Sequence, residues 1–186
     1  MFFGVADRPT HADDTARILP DTDSMARPNE SPGTRLRSAW LQLSPLPGGR
    51  WLFSRPLGHM VPYSGTIGAH VELFEPGEVR ITLADRRKVR NHLRSFHAIA
   101  LANLGELSTG LAMLGAMGED VRGILTGLDV AYRKKARGPL EAHVEIEIPE
   151  VTESIEHTFV ADIRDAAGDV VATVAARWRL SPIQAR

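Results

Sequence analysis

No cysteine occurs anywhere in this chain of 186 residues, which excludes disulfide staples, thiolate nucleophiles and zinc–thiolate sites together. The same absence suits a reducing compartment, and a cytoplasmic location is expected. Net charge is almost missing too. With 22 Lys and Arg against 23 Asp and Glu, the formal charge is −1, so no basic excess is available to hold nucleic acid. Aromatic residues make up only 6% of the chain, and few basic residues interleave with them, which argues against a base-stacking platform. The apolar stretch after His97 is broken by Glu106 and by Gly105, Gly110 and Gly115, so no membrane span is expected. The opening Met1-Phe2-Phe3-Gly4-Val5-Ala6 is too short for a signal peptide, and Asp7 and Arg8 follow directly. A phosphate-binding glycine loop, a serine nucleophile elbow and a His pair at metal-ligand spacing beside a carboxylate are also lacking.

What is present is enough apolar material for one core: 43% of the residues are hydrophobic, which at this length predicts a single domain with a tail. Residues 1–33 are rich in Asp, Arg, Pro, Thr and Ser and are expected to be a disordered leader. Residues 34–186 form the expected domain, with short helices over 34–60 and a core over 61–181. Leu36, Trp40, Leu41 and Leu43 mark the first short helix, and Trp51, Leu52, Phe53 and Leu57 the second. Pro45-Leu46-Pro47-Gly48-Gly49 separates them. Their aromatics are expected to cover the core or to line a pocket mouth.

Strand signals follow over Ala69–Phe74 and Val79–Leu83, joined at Glu75-Pro76-Gly77-Glu78. After a long apolar helix come four more predicted strands: Gly123–Arg133, Leu140–Ile148, His157–Arg164 and Val170–Leu180. Val144-Glu145-Ile146-Glu147-Ile148 alternates strictly, as a half-buried antiparallel strand does. Two strands, one long helix and four strands make an α+β layout, with one helix wrapped by an antiparallel sheet of five to six strands.

Inside that helix stands one carboxylate. Almost nothing charged lies between His97 and Glu119 apart from Glu106, so the helix reads as buried on most sides. An ionised group in such surroundings costs several kcal/mol unless it is paired or lies in a solvated cleft. Glu106 therefore marks a site or an interface, unless it faces water on a narrow polar stripe. Its helical neighbours Ala102, Asn103, Thr109 and Gly110 are small or polar, which suits the approach of a ligand and close helix packing equally.

Asn91, His97 and Glu106 follow one another at intervals of six and nine residues. Together with Asn103-Leu104-Gly105-Glu106 and Thr126-Gly127-Leu128-Asp129-Val130-Ala131-Tyr132, this pattern resembles the hotdog-fold acyl-CoA thioesterases of the phenylacetate type. It is also similar to an uncharacterised bacterial branch of that superfamily. The resemblance covers about residues 60–180 and implies a hotdog fold, thioester hydrolysis without a cofactor or metal, and a homodimer or tetramer. Helical geometry imposes a matching constraint. Nine residues at about 100° each place His97 and Glu106 on opposite helix faces, roughly 13 Å apart along the axis, so any cooperation between them must cross a subunit boundary.

In the chemistry so implied, Glu106 activates a water or attacks directly, Asn91 orients the carbonyl or the water, and His97 assists proton transfer. The Ala98 N–H at the helix start would meet the oxyanion. The family usually has glycines directly after the His, whereas this chain has Ala98 and Ile99. Structural readings stand beside these: His97 as a helix cap or packing residue, Asn91 as a turn former, and Ser95 as an N-cap. Ser95, Thr109 and Arg94, with Arg133, Lys134 and Lys135, are the candidate substrate-binding residues, the basic ones for the phosphates of coenzyme A or for an acidic acyl carrier protein. Two other functions remain open: a non-catalytic acyl-binding or structural protein, and an enoyl-thioester hydratase.

Overall fold

The structure is a computed structural model describing residues 31–183; the expected leader lies, up to residue 30, outside the described residues. Helix α1 (Pro32–Leu43) starts inside the segment expected to be disordered. The Ser31 hydroxyl accepts the Thr34 N–H, and Pro32 fills the first turn, where its missing N–H has no helical partner to lose. Composition alone hides such a cap. Helix α2 (Gly49–Met60) follows the Pro-Gly linker, with Gly48 in the left-handed region at φ 74°. A four-residue helix, α3 (Pro62–Gly65), then crosses back towards the core. Trp40, Phe53 and Phe74 tie these helices to the sheet, with ring centroids 5.1 Å apart for Trp40–Phe53 and 5.9 Å for Phe53–Phe74.

Six antiparallel strands form one sheet: β1 (His70–Glu75), β2 (Glu78–Leu83), β3 (Val121–Tyr132), β4 (Leu140–Glu145), β5 (Ile155–Asp165) and β6 (Val170–Pro182). Their order across the sheet is β1-β2-β4-β5-β6-β3. The strict alternation after Val144 overstates β4. Its partner β2 begins at Glu78, opposite Glu145, so Ile146 keeps only one bond, from its N–H to the Gly77 carbonyl. β5 and β6, in contrast, pair from Ile155 and Leu180 through to Arg164 and Val170.

The long helix α4 (Ala98–Ala116) is wrapped by the sheet, and thirteen of its nineteen residues are buried. By length and composition it would suffice to cross a bilayer, contrary to the expectation from its glycines and single carboxylate. Here the sheet takes up that apolar surface instead. The seating is close at two glycines. A methyl on Gly105 would fall inside the Val174 side chain, and one on Gly115 would lie 2.9 Å from the Phe74 ring. Of the two edge strands, β1 is covered by α2. The twelve-residue β3 has no strand beyond it among the described residues.

Candidate functional site

The segment before α4 is a tight loop organised by Asn91. Its Oδ1 accepts the Leu93 N–H at 2.9 Å, the Ser95 N–H at 3.2 Å and the Ser95 hydroxyl at 3.2 Å. Its Nδ2 donates to the Phe96 carbonyl at 3.3 Å. The Asn91 amide is thus engaged on both ends. Arg94 sits in the left-handed region at φ 56°, a conformation that the Asn91 contacts on either side hold in place. The expectation that Ser95 caps the helix is corrected, because its hydroxyl is spent on Asn91.

His97 is the cap. Its Nδ1 accepts the Ile99 N–H at 3.1 Å, which leaves any proton of the neutral ring on Nε2. The next backbone donor, the Ala98 N–H, has no acceptor among the described residues. His97, Ala98 and Ile99 are all exposed, and Ile99 keeps 52% of its surface. The Tyr132 hydroxyl donates to the Ala98 carbonyl at 3.1 Å, fastening the helix start to the end of the uncovered strand β3.

Glu106 lies about two turns further along α4, half-buried beneath α3. Burial pushes its carboxyl above the ordinary glutamate value, and the nearby buried Ser64 hydroxyl, which favours the charged form, offsets part of that rise. Three residues back, the Asn103 Nδ2 donates to the Tyr63 carbonyl at 3.4 Å, while the Asn103 Oδ1 is buried without a partner among the described residues. Gly110, one turn on, leaves room for the Trp178 ring, 3.4 Å from where a methyl would stand. Ser64 escapes a reading by motif: α3 is four residues long, and Ser64 comes near Glu106 only through the tertiary fold. The one available signal was Asn103 itself, a polar residue in an apolar run. Thr109, expected near the carboxylate, instead donates to the Glu106 main-chain carbonyl at 3.0 Å, as a helical threonine commonly does.

The basic candidates are not gathered around Glu106. Lys134 is held between Asp165, at 2.8 Å, and Asp169, and these contacts raise its pKa. Arg133 and Lys135 are exposed next to it. Arg94 lines a shallow cleft of about 420 Å³ with Arg87, Arg90 and Asn91. Two further cavities adjoin the site. One of about 1040 Å³ lies between α2, α3 and β1 and includes Ser64 and Leu107 in its wall. A smaller one of about 190 Å³ is bordered by His97, Ile99 and Asn103. No group of three or more His, Asp or Glu side chains suited to a metal occurs among the described residues.

Solved structures share this architecture. A Pseudomonas aeruginosa protein of unknown function, described as a probable thioesterase, superposes with a TM-score of 0.65 at 24% identity, covering 74% of this chain and 97% of its own. A thioesterase family protein from Silicibacter pomeroyi gives 0.59 at 19% identity, covering 69% and 96%. A mutant thioesterase enzyme from Staphylococcus aureus gives 0.57 at 18% identity, covering 65% and 99%. No curated protein matches the chain. The family described as "Domain of unknown function (DUF4442)" matches residues 49–180, and with that span the chain belongs to this family and has the hotdog fold of its thioesterase-family neighbours.

Proposed function

We propose that the protein hydrolyses acyl thioesters, with acyl-coenzyme A preferred, at two equivalent sites formed between two copies of the chain. The observation that carries this reading is the pairing of features on α4: a half-buried carboxylate with a raised pKa at Glu106, and an exposed helix start with a free N–H at Ala98. They stand about 12 Å apart along one helix, so a second copy is needed to bring them together. Two features support that copy's approach along β3. The strand is uncovered, and Tyr132 at its end holds the Ala98 carbonyl.

In the proposed reaction Glu106 of one subunit takes a proton from a water, and the water oxygen bonds to the thioester carbonyl carbon. Negative charge grows on the carbonyl oxygen and is met by the Ala98 N–H and the positive end of the α4 dipole of the other subunit. The carbon–sulfur bond then breaks, and the departing thiolate takes the proton from Glu106. A carboxyl raised by burial suits the base role, because its proton affinity moves towards neutral pH. In this reading the exposed His97 steadies the substrate carbonyl. Asn91 supports the reaction by shaping the loop that presents His97 and Ala98.

The test is turnover of an acyl-coenzyme A panel by the wild type and by Glu106→Gln, at matched folding. Loss of about 10²-fold or more in kcat is expected for removal of a general base. Turnover unchanged in Glu106→Gln removes the proposal. Tight acyl-coenzyme A binding without any turnover favours the non-catalytic acyl-binding reading, which the exposed Ile99 in place of a family glycine also suits.

A further inference from the structure

The basic runs nearest α4 in sequence are partly committed to local acids: Lys134 to Asp165 and Asp169, and Arg90 to Asp85. A different group of basic side chains is gathered by the fold. The cavity of about 1040 Å³ is bordered by Arg55, His59, His70, Arg86 and Lys88, and no Asp or Glu is among its lining residues. They come from α2, from β1 and from the segment after β2, so no sequence run displays them. Arg86 is fixed by donating to the Ile67 and Gly68 carbonyls at 2.6 and 2.8 Å, and Arg55 lies 5.1 Å from the Trp51 ring centroid. Lys88 has no ion-pair partner among the described residues.

Inward of these basic side chains the wall turns apolar at Leu57, Val71 and Leu107, and it also holds Ser64, whose hydroxyl lies near the Glu106 carboxyl. The small cleft next door shares Thr66 and Lys88 with this cavity and contains Asn103. The Asn103 Oδ1, in a residue 7% exposed, is an acceptor with no donor among the described residues, and a buried acceptor left unfilled is costly unless a ligand or water supplies the donor.

We infer that this cavity receives a phosphate-terminated pantetheine arm: the phosphate rests against Arg55, Arg86 and Lys88, and the chain runs inward past Asn103 to the Ser64–Glu106 end. This assignment rests on the thioesterase reading and supplies its carrier site. A phosphate is matched by guanidinium and ammonium donors. An amide N–H along the arm would fill the Asn103 acceptor, and the apolar wall accommodates the methylene and methyl groups between. The lack of lining carboxylates makes the rim selective for anions.

The test is calorimetric titration of the full chain with desulfo-coenzyme A, with acyl carrier protein bearing its phosphopantetheine arm, and with inorganic phosphate. Arg55→Glu and Lys88→Glu are each expected to weaken binding of the armed ligand by about tenfold or more, the scale of one lost charged hydrogen bond. Arg37→Glu, at an exposed position of α1 away from this cavity, is expected to leave it unchanged. Asn103→Leu should weaken both arm-bearing ligands and leave phosphate unaffected. Sensitivity of desulfo-coenzyme A alone identifies the free coenzyme as the source, and sensitivity of the carrier protein alone identifies the protein-borne arm. No binding by either, or binding that Arg55→Glu and Lys88→Glu leave intact in folded protein, overturns the inference. Binding that depends on Arg55 and Lys88 without thioester turnover upholds the cavity and removes the hydrolase. Turnover with an unchanged KM in both variants does the reverse.

Discussion

Replacing Gly105 by alanine tests the seating of α4 that puts Glu106 in place. In an uncrowded helix interior the change stabilises by about 1 kcal/mol, because alanine is the better helix former. At Gly105 the added methyl would come within 3.0 Å of three carbons of the Val174 side chain on β6. Val174 is fully buried and stiff at χ1, so the helix must lift or the strand must give. Overpacking costs about 1–3 kcal/mol, and an overlap with three carbons of a stiff side chain belongs in the upper part of that range, about 2–3 kcal/mol. Against the propensity gain, the net loss comes to roughly 1–2 kcal/mol. For a chain of this size that is a fall in Tm of about 2–8 °C, measured by thermal and urea denaturation. Gly110→Ala is the internal control. Its methyl would meet the Trp178 ring at 3.4 Å, an ordinary contact, so a neutral or stabilising effect of up to about 1 kcal/mol is expected. A Gly105→Ala protein as stable as the wild type, or more so, would refute the close helix–sheet contact.

Glu106→Gln should stabilise the fold at neutral and alkaline pH. The folded state holds the Glu106 proton more tightly than the unfolded chain does, so the corresponding stability is present below the ordinary value of 4.5 and is lost as pH rises through the raised folded value. The wild-type and variant curves should therefore converge at low pH and separate above it, and a constant offset would contradict the assignment. Asp85 behaves oppositely: its pKa is lowered by the hydrogen bond from Arg90, burial opposes this, and the Gly138 N–H adds to the lowering. Its contribution is present above 3.8 and lost as pH falls through the lowered value; Asp85→Asn should flatten that acid limb in urea titrations. Asn91→Ala should cost about 1–2 kcal/mol by leaving loop donors unpaired. Asn91→Asp retains the accepting oxygen and should recover most of the loss in the same denaturation assay.

Much of the fold was legible because burial leaves a periodic trace. The apolar run around α4 and the alternation of the strands follow directly from which faces meet the core. Edges were less visible. Val144–Ile148 alternates through Ile148, yet the ladder stops at Glu145 because a strand needs a partner as well as a pattern. The site was legible only along α4. Glu106 stands out as a lone carboxylate, and the helix start is marked by His97, although the choice between Ser95 and His97 as cap depended on which side chain Asn91 engages. Ser64 and the cations Arg55, Arg86 and Lys88 come together only through the turn of α2 into α3 and the docking of α2 on β1 and of α3 on α4. No periodicity or motif spacing encodes that meeting.

The central claim, that Glu106 of one chain acts with the Ala98 N–H of another, is tested most directly by complementation. Ala98→Pro removes the N–H in question at the first helical position, where proline is tolerated, and the extended His97 backbone at ψ 138° suits a following proline. Ala98→Pro and Glu106→Gln are each expected to abolish thioester turnover alone. Co-expressed, half of the dimers pair one variant with the other and carry one site with both groups intact. Activity should then recover to about a quarter of the wild-type value. No recovery in demonstrably mixed dimers, or full activity in either single variant, would contradict a site shared between subunits.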